Sequence, residues 1–94
     1  CAAIGSSVNS QNAKAEAVDL ECVGVDNAEV ADWVYTNCRT DQLILEFYTP
    51  GEPNSGWIHA SYVEFNPRAQ YLRAYREDKK VKYKPILGKA VDLV

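Results

Sequence analysis

Residues 42–63, QLILEFYTPGEPNSGWIHASYV, carry the strongest structural signals in this chain. The run 42–48 is rich in aliphatic and aromatic residues, which favours a β-strand. Residues 57–63 predict a second strand, in which alternation places Trp57, His59 and Ser61 on one face. The Pro/Gly segment 49–56 cannot continue a strand and is predicted to be a loop. This stretch therefore predicts two strands joined by a loop, with the only histidine of the sequence in the middle of the second strand.

The region before this stretch predicts a strand followed by a short helix. Residues 17–23, AVDLECV, alternate between apolar residues and the acids Asp19 and Glu21, which is typical of a half-buried strand. Asp26 is a suitable N-cap, and Glu29 follows at the spacing of a capping box. The predicted helix spans about residues 27–38, and its apolar stripe consists of Val30, Trp33, Val34 and Cys38.

Both ends of the chain differ from this central part. Residues 70–77 and 80–86 flank a charged turn and predict a β-hairpin, with a further turn at 66–69. The last eight residues are weakly apolar and form either a docked tail or a segment foreign to the domain. Residues 5–14, GSSVNSQNAK, have the composition of a loop.

The order of these elements predicts the α+β class, with a small antiparallel sheet and one central helix. We expect a single domain over residues 1–94, with the core motifs in 1–65 and a basic β-hairpin and tail in 66–94. One helix and four or five strands make a thin core, and the sequence begins with Cys1 rather than Met. We therefore expect that helices preceding Cys1 are absent from this sequence.

Composition limits the class of protein. The 94 residues are 47% hydrophobic and 24% charged, which indicates one small globular domain rather than a disordered chain. No apolar run approaches the ~20 residues of a membrane span, and no signal peptide is recognised at the start. We therefore expect no membrane partner.

Charge is segregated along the sequence. Residues 68–89 hold eight basic residues and two acids, whereas residues 1–67 hold two basic residues and ten acids. The net charge of −3 argues against a nucleic-acid partner. The basic third is either a strand pair whose lysines protect a sheet edge, or a surface for an anionic partner such as a cell-wall polymer or a partner protein.

The three cysteines are Cys1, Cys22 and Cys38, and none forms a C-x-x-C pair, so a zinc ribbon has no support. An odd number of cysteines without a secretion signal predicts reduced thiols. Cys22 and Cys38 lie in apolar settings and are predicted to be core residues, a Cys22–Cys38 disulfide being the alternative.

Three segments with candidate site residues occur in an informative order: SQNAKAEAVDL (residues 10–20), DQLILEF (41–47) and SGWIHASY (55–62). By themselves, a strand histidine is most often a hydrogen-bonded structural residue, and a strand aspartate is usually solvated. Together, the segments resemble the zinc D-alanyl-D-alanine carboxypeptidase family. That family includes phage endolysins that cut cell-wall peptides, and it shares its fold with the hedgehog signalling domain. The resemblance covers about residues 2–65, and it implies that the single domain over residues 1–94 is peptidase-like.

The resemblance implies a hydrolase, a metallopeptidase that acts on peptidoglycan stem peptides with zinc as cofactor. The family motif S-x-H-x-x-G-x-A-x-D ends at Asp19, which matches the aspartate ligand, and a W-x-H strand places the second histidine ligand at His59. A carboxylate takes the proton of the metal-bound water in such enzymes, and Glu46 is the candidate for that role. Glu46 is equally explained as a hydrogen-bonded strand carboxylate. Trp57 and Ser61 share the face of His59 and are the candidate substrate-binding residues.

The sequence departs from the family at three positions. The first ligand histidine is replaced by Asn12, whose neutral amide is a poor zinc ligand beside imidazole. The motif glycine is replaced by Ala15, and Gly56 stands where many relatives have the catalytic acid.

These departures leave alternatives open. The chain is a peptidase completed by a group from elsewhere, a deliberately inactivated variant, or a natural pseudoenzyme that serves as a virion structural protein or a wall-binding module. The two changes in one motif favour natural drift. A generic interaction domain with an accidental motif is a further alternative. The resemblance implies a phage or bacterial origin, and a protein that is cytoplasmic until lysis or carried on the virion.

Overall fold

The computed structural model describes residues 2–9 and 15–92, which form a six-stranded sheet with one α-helix packed on it. Asn12 lies outside the described residues. In chain order the elements are β1 (Ala2–Asn9), β2 (Ala15–Glu21), α1 (Asn27–Asn37), β3 (Gln42–Glu46), β4 (Trp57–Tyr62), β5 (Gln70–Glu77), β6 (Lys80–Pro85) and a 3-10 helix (Ala90–Asp92). The α+β class is confirmed.

The sheet is mixed, so the prediction of a purely antiparallel sheet was wrong. The strand order is β1-β2-β4-β3-β5-β6, and β3 and β5 run parallel whereas the other neighbours are antiparallel. The chain leaves β4, passes the start of β3 and adds β5 on the far side of that strand. Asp41 holds this crossover, because its carboxylate accepts bonds from Arg68 Nε at 3.0 Å, from Arg68 Nη2 at 2.7 Å and from the Arg68 backbone N–H at 3.0 Å.

The predicted loop over residues 5–14 was also wrong in its first half. Residues 5–9 belong to β1, which pairs with β2 from Ala2 opposite Glu21 to Asn9 opposite Ala15. The small and polar residues of this segment have weak β-propensity, and pairing with β2 overrides it.

The hydrophobic core lies between α1 and one face of the sheet. Leu43, Leu45, Ile58 and Ala60 on β3 and β4 have no exposed surface, and they pack with Ala28, Val30, Ala31 and Val34 of the helix. Small residues such as Ala28 and Ala31 let the helix approach the sheet closely. Burial of each large aliphatic side chain contributes about 1.5–3 kcal/mol to the free energy of folding.

The helix begins as predicted and differs in its buried stripe. The Asp26 carboxylate accepts from the Ala28 backbone N–H at 2.9 Å, which is an N-cap bond. Trp33, however, keeps 62% of its surface exposed. The helix turns Ala28 and Ala31 toward the sheet instead, and the bulky indole lies at the rim of the interface.

The hairpin and the tail complete the fold. β5 and β6 form the predicted hairpin, and Asp78 and Lys79 in its turn have φ values of 52° and 64°, as a two-residue type I′ turn requires. The last residues form a docked tail, because Asp32 of α1 accepts bonds from the backbone N–H groups of Ala90 and Val91.

The thiols differ from their prediction in one case. Cys22 is buried in the core and disulfide-bonded, so the prediction of a reduced thiol was wrong there. Cys38 is free, which excludes a Cys22–Cys38 disulfide. Disulfides persist in oxidising compartments, and an odd number of cysteines in a sequence does not reveal which of them pair.

Candidate functional site

The candidate site lies on the face of the sheet that α1 leaves open. β2 and β4 are antiparallel neighbours, and their register places Asp19 directly opposite His59. His59 Nδ1 lies 2.9 Å from Asp19 Oδ1, and the two side chains are 29% and 38% exposed, respectively. The sheet therefore joins the two motif segments of the sequence, 40 residues apart, through one hydrogen bond.

This pair fixes the histidine ring. An ionised carboxylate accepts hydrogen bonds only, so a neutral His59 must carry its proton on Nδ1 and leave Nε2 as an acceptor. A carboxylate in this position is a common orienting partner of functional histidines. No other hydrogen bond of the imidazole is formed with the described side chains.

The Asp19–His59 pair has the donor atoms of a zinc site but not the number of ligands that such a site needs. Two donors on a tetrahedral zinc at 2.0–2.1 Å lie about 3.3 Å apart, so the observed separation needs to widen by only about 0.4 Å. The donor types and spacing of Asp19 and His59 fit zinc. However, no group of three His, Cys, Asp or Glu side chains that could hold a metal occurs in the part of the chain that the structure describes. A catalytic zinc takes three protein ligands, so this set is incomplete.

Glu46 lies on the same face of the sheet as His59 but not beside it. It is opposite Trp57 in register, whereas His59 is opposite Ile44, so Glu46 and His59 are diagonal neighbours. Diagonal positions of an antiparallel pair are about 7–8 Å apart. Among the described residues, His59 is hydrogen-bonded to Asp19, and no hydrogen bond joins it to Glu46.

Gly56 stands where many members of the zinc carboxypeptidase family have their catalytic acid, and the surrounding backbone leaves no room for a side chain there. A Cβ on Gly56 would lie 2.0 Å from the Glu46 carbonyl oxygen and 2.8 Å from the Tyr48 backbone nitrogen. Its φ of 67° is also one that side chains rarely adopt. The backbone at residues 46–48 therefore excludes a carboxylate side chain at this position.

Trp57 contacts an aromatic neighbour that sequence reasoning missed. Phe47 has a φ of 56°, which ends the alternation of β3 and brings its ring to 5.4 Å from Trp57. The Arg76 guanidinium lies 5.2 Å from the centroid of the Phe47 ring. We call the two rings of Trp57 and Phe47 the Trp57–Phe47 wall. Its formation involves the positive φ of Phe47, a backbone conformation that the sequence does not show.

Ser61, the other candidate for substrate binding, is used inside the sheet. Its hydroxyl oxygen accepts from the Gln42 backbone N–H at 3.0 Å and lies 3.3 Å from the Gln42 carbonyl oxygen. The alternation of β4 placed it on the correct face, but its hydrogen bonds hold β3 to β4.

Ala15, which replaces the glycine of the family motif, lies in a strand. It is the first residue of β2 and has extended backbone, which any L-residue adopts. The glycine of the family motif is therefore not needed for the conformation at this position.

Two depressions flank the sheet. One, of about 500 Å³, lies on the His59 face and is lined by Gln42, Ile44, Arg68, Gln70, Leu72 and Tyr83. It adjoins the Asp19–His59 pair, because Ile44 is the register partner of His59. The other, of about 570 Å³, is an apolar groove beside the exposed Trp33 on the helix side.

Comparison with models of protein families, with curated protein sequences and with solved structures finds no match. Among the described residues, no helix has the length and apolarity to cross a membrane. The interpretation of this site therefore rests on its own geometry and on the motifs of the sequence.

Proposed function

We propose that this chain is a zinc-metallopeptidase-like domain that acts on peptidoglycan stem peptides, with Asp19 and His59 as two of its metal ligands. The observation that carries the proposal is the cross-strand pair Asp19–His59 at 2.9 Å. These are the two residues that the motifs assign as ligands, and an accidental motif match gives no reason for them to face each other on neighbouring strands.

The open face supports a peptide as the bound molecule. The depression beside His59 is lined by the apolar Ile44 and Leu72 and by Gln42 and Gln70, whose amides share one hydrogen bond of 2.9 Å and keep further donors and acceptors. Amide side chains hydrogen-bond a peptide backbone, and the apolar lining accommodates small side chains such as alanine. The Trp57–Phe47 wall closes the end of the face near Glu46.

The residues of this chain have distinct roles in such a complex. Asp19 and His59 would together hold the metal through Asp19 Oδ1 and His59 Nδ1, and in the metal-free chain the hydrogen bond between these atoms fixes the His59 ring. Glu46, a diagonal neighbour of His59, accepts a proton from a water or a substrate group held between them. Because the described side chains provide two donors where zinc chemistry needs three, we derive no step through the metal.

A second candidate is a non-catalytic domain that binds the same peptides, for example a wall-binding or virion structural module. Gly56 favours it, because the local backbone has no room for an acid there. Asn12 in place of a histidine favours it too. The disulfide at Cys22 is compatible with a role of either kind outside the reducing cytoplasm.

Stem-peptide binding and cleavage separate the two candidates. The chain is mixed with a stem pentapeptide ending in D-Ala-D-Ala, with zinc and with chelator, and release of D-Ala and the dissociation constant are measured. The peptidase predicts zinc-dependent release that His59→Ala abolishes. Saturable binding without release, insensitive to chelator, supports the binding module. If neither peptide binding nor D-Ala release is observed, the proposal is overturned. Lys79→Gln, which lies in the β5–β6 turn, is the control variant and should bind and release like the parent.

A further inference from the structure

The β5–β6 hairpin carries a cationic strip that the proposed peptidase site does not use. Register places Arg73 opposite Lys84, Tyr75 opposite Lys82 and Glu77 opposite Lys80. These six side chains share the sheet face on which Tyr71 and α1 lie, whereas His59 faces the other way. We define the cationic strip as Arg73, Lys80, Lys82 and Lys84.

Little neutralises this strip. Lys82 Nζ lies 3.2 Å from Glu77 Oε1, whereas Arg73, Lys80 and Lys84 form no ion pair with the side chains that the structure describes. The nearby carboxylate of Asp32 is already occupied by Tyr71 and the backbone of the tail. Arg68 is bound to Asp41 and does not belong to the strip.

The arrangement differs from a protected sheet edge. Edge protection requires charge on β6 alone, and β6 is indeed the exposed edge strand. Arg73, however, lies on β5, one strand inward, directly opposite Lys84. Like charges in directly opposed positions destabilise a hairpin, so this pair costs stability in the free protein. A bound anion between the two groups would remove that cost.

We propose that the cationic strip binds a linear phosphodiester polymer of the cell wall. Residues i and i+2 of a strand are about 6.6 Å apart, so Lys80, Lys82 and Lys84 present three cations along about 13 Å. This regular row suits an anion that repeats along a chain better than a single ion. The choice of a wall polymer over a nucleic acid rests on the proposed function, since both are linear polyanions that the strip attracts.

The test uses poly(glycerol phosphate) as the probe and measures its dissociation constant at several salt concentrations. Arg73→Gln with Lys84→Gln should weaken binding at least tenfold and lower the slope of log K against log salt by about one unit for each lost phosphate contact. The matched control is Lys79→Gln with Lys89→Gln, which removes the same charge outside the strip and should change binding less than twofold. At low salt and without polymer, the melting temperature of the Arg73→Gln, Lys84→Gln variant should equal or exceed that of the parent, because the substitutions remove the repulsion between the two opposed cations.

Three outcomes would overturn the inference. Equal losses in both variants would mean diffuse attraction, and binding of oligothymidylate as tight as that of the polymer would mean a nucleic-acid site. No saturable binding at 50 mM salt would leave the strip as edge protection. His59→Ala should leave polymer binding unchanged, so that failure of this inference and failure of the peptidase site give different results.

Discussion

At the scale of single residues, Gly56 is the position where the backbone constrains the site most severely. The carbonyl of Glu46 and the backbone of Phe47 and Tyr48 fill the space where a side chain would begin. The positive φ of Phe47 creates this close approach, since it turns the chain back toward the start of β4. The contact of Phe47 with Trp57 and the exclusion of a side chain at residue 56 therefore both involve the backbone turn at residues 46–48.

Gly56→Ala should destabilise the protein by at least about 3 kcal/mol, because backbone atoms cannot move aside cheaply. Gly51→Ala is the matched control. Its φ of 91° is also positive, but nothing lies within 4 Å of a Cβ there, so the cost should be about 1 kcal/mol. Urea unfolding followed by tryptophan fluorescence measures both, and equal losses would contradict the steric explanation.

The placement of Asp19 and His59 was predictable from the sequence, whereas their roles as ligands stay a prediction. Alternation in residues 17–23 and 57–63 placed Asp19 and His59 on polar faces, and the motifs paired them. The role of Ser61 was not predictable, because a serine on the open face looks the same whether it binds a ligand or its neighbouring strand. Asn27 was missed for a similar reason. Its buried amide donates to the carbonyls of Ser55 and Gly56 and holds the loop before β4.

At the scale of elements, Asp32 joins the helix, the sheet and the tail. Its carboxylate accepts from Tyr71 Oη and from the Ala90 backbone N–H, both at 2.6 Å, and from the Val91 backbone N–H at 3.1 Å. One turn of α1 therefore fixes both β5 and the 3-10 helix.

Asp32→Ala should reduce the free energy of unfolding by about 2–4 kcal/mol, since it leaves a buried hydroxyl and a backbone N–H without an acceptor. Glu29→Ala, an exposed acid on the same helix, should cost less than about 0.5 kcal/mol. Limited proteolysis should release the tail early in the Asp32 variant only. A tail that stays resistant would contradict the anchoring role.

The bounds of most elements followed from local sequence, and their arrangement did not. Alternation and turn residues gave the limits of β5 because both signals lie within the strand and its turns. The parallel pairing of β3 with β5 depends on Asp41 and Arg68, which are 27 residues apart in sequence. Trp33 was assigned to the buried stripe because periodicity weighs size and apolarity, whereas the helix packs through alanines.

At the scale of the whole molecule, the partly buried Tyr48 and the buried Tyr71 limit stability in alkali. Burial, and then its hydrogen bond to Asp26, raise the pKa of Tyr48 from 10.0 to about 12. Burial, and then the bond to Asp32, also raises the pKa of Tyr71. The folded state therefore holds these protons more tightly than the unfolded state.

The resulting stabilisation is complete below pH 10 and is lost as the pH rises through the folded-state pKa values. We expect the free energy of unfolding to fall steeply from about pH 10 upward. Tyr48→Phe with Tyr71→Phe should be less stable at pH 8 but should show a shallower alkaline slope. Tyr83→Phe, an exposed position, is the control and should keep the parent slope. Identical slopes in all three proteins would contradict this origin of the alkaline limit.

Asp41 has the opposite effect in acid. Its hydrogen bonds with the Arg68 side chain and backbone hold the pKa of Asp41 below its ordinary value of 3.8. The folded state then binds this proton less tightly than the unfolded state, so its stabilisation is present above pH 3.8 and is lost as the pH falls below it. Asp41→Asn should flatten the acid limb of a stability–pH curve, and Asp92→Asn should not. An unchanged acid limb of the stability–pH curve in the Asp41 variant would contradict the stabilising role of the Asp41–Arg68 hydrogen bonds.

Zinc affinity decides whether Asp19 and His59 are two ligands of a metal centre. Calorimetric titration compares the parent with Asn12→His, with Gln11→His as the matched control for an added histidine. We expect the parent to bind zinc weakly, because two donors hold it poorly. Asn12→His should bind one equivalent at least a hundredfold more tightly, and His59→Ala in that background should abolish the gain. Equal affinity of the Asn12→His and Gln11→His variants, or a gain that survives His59→Ala, would contradict the account.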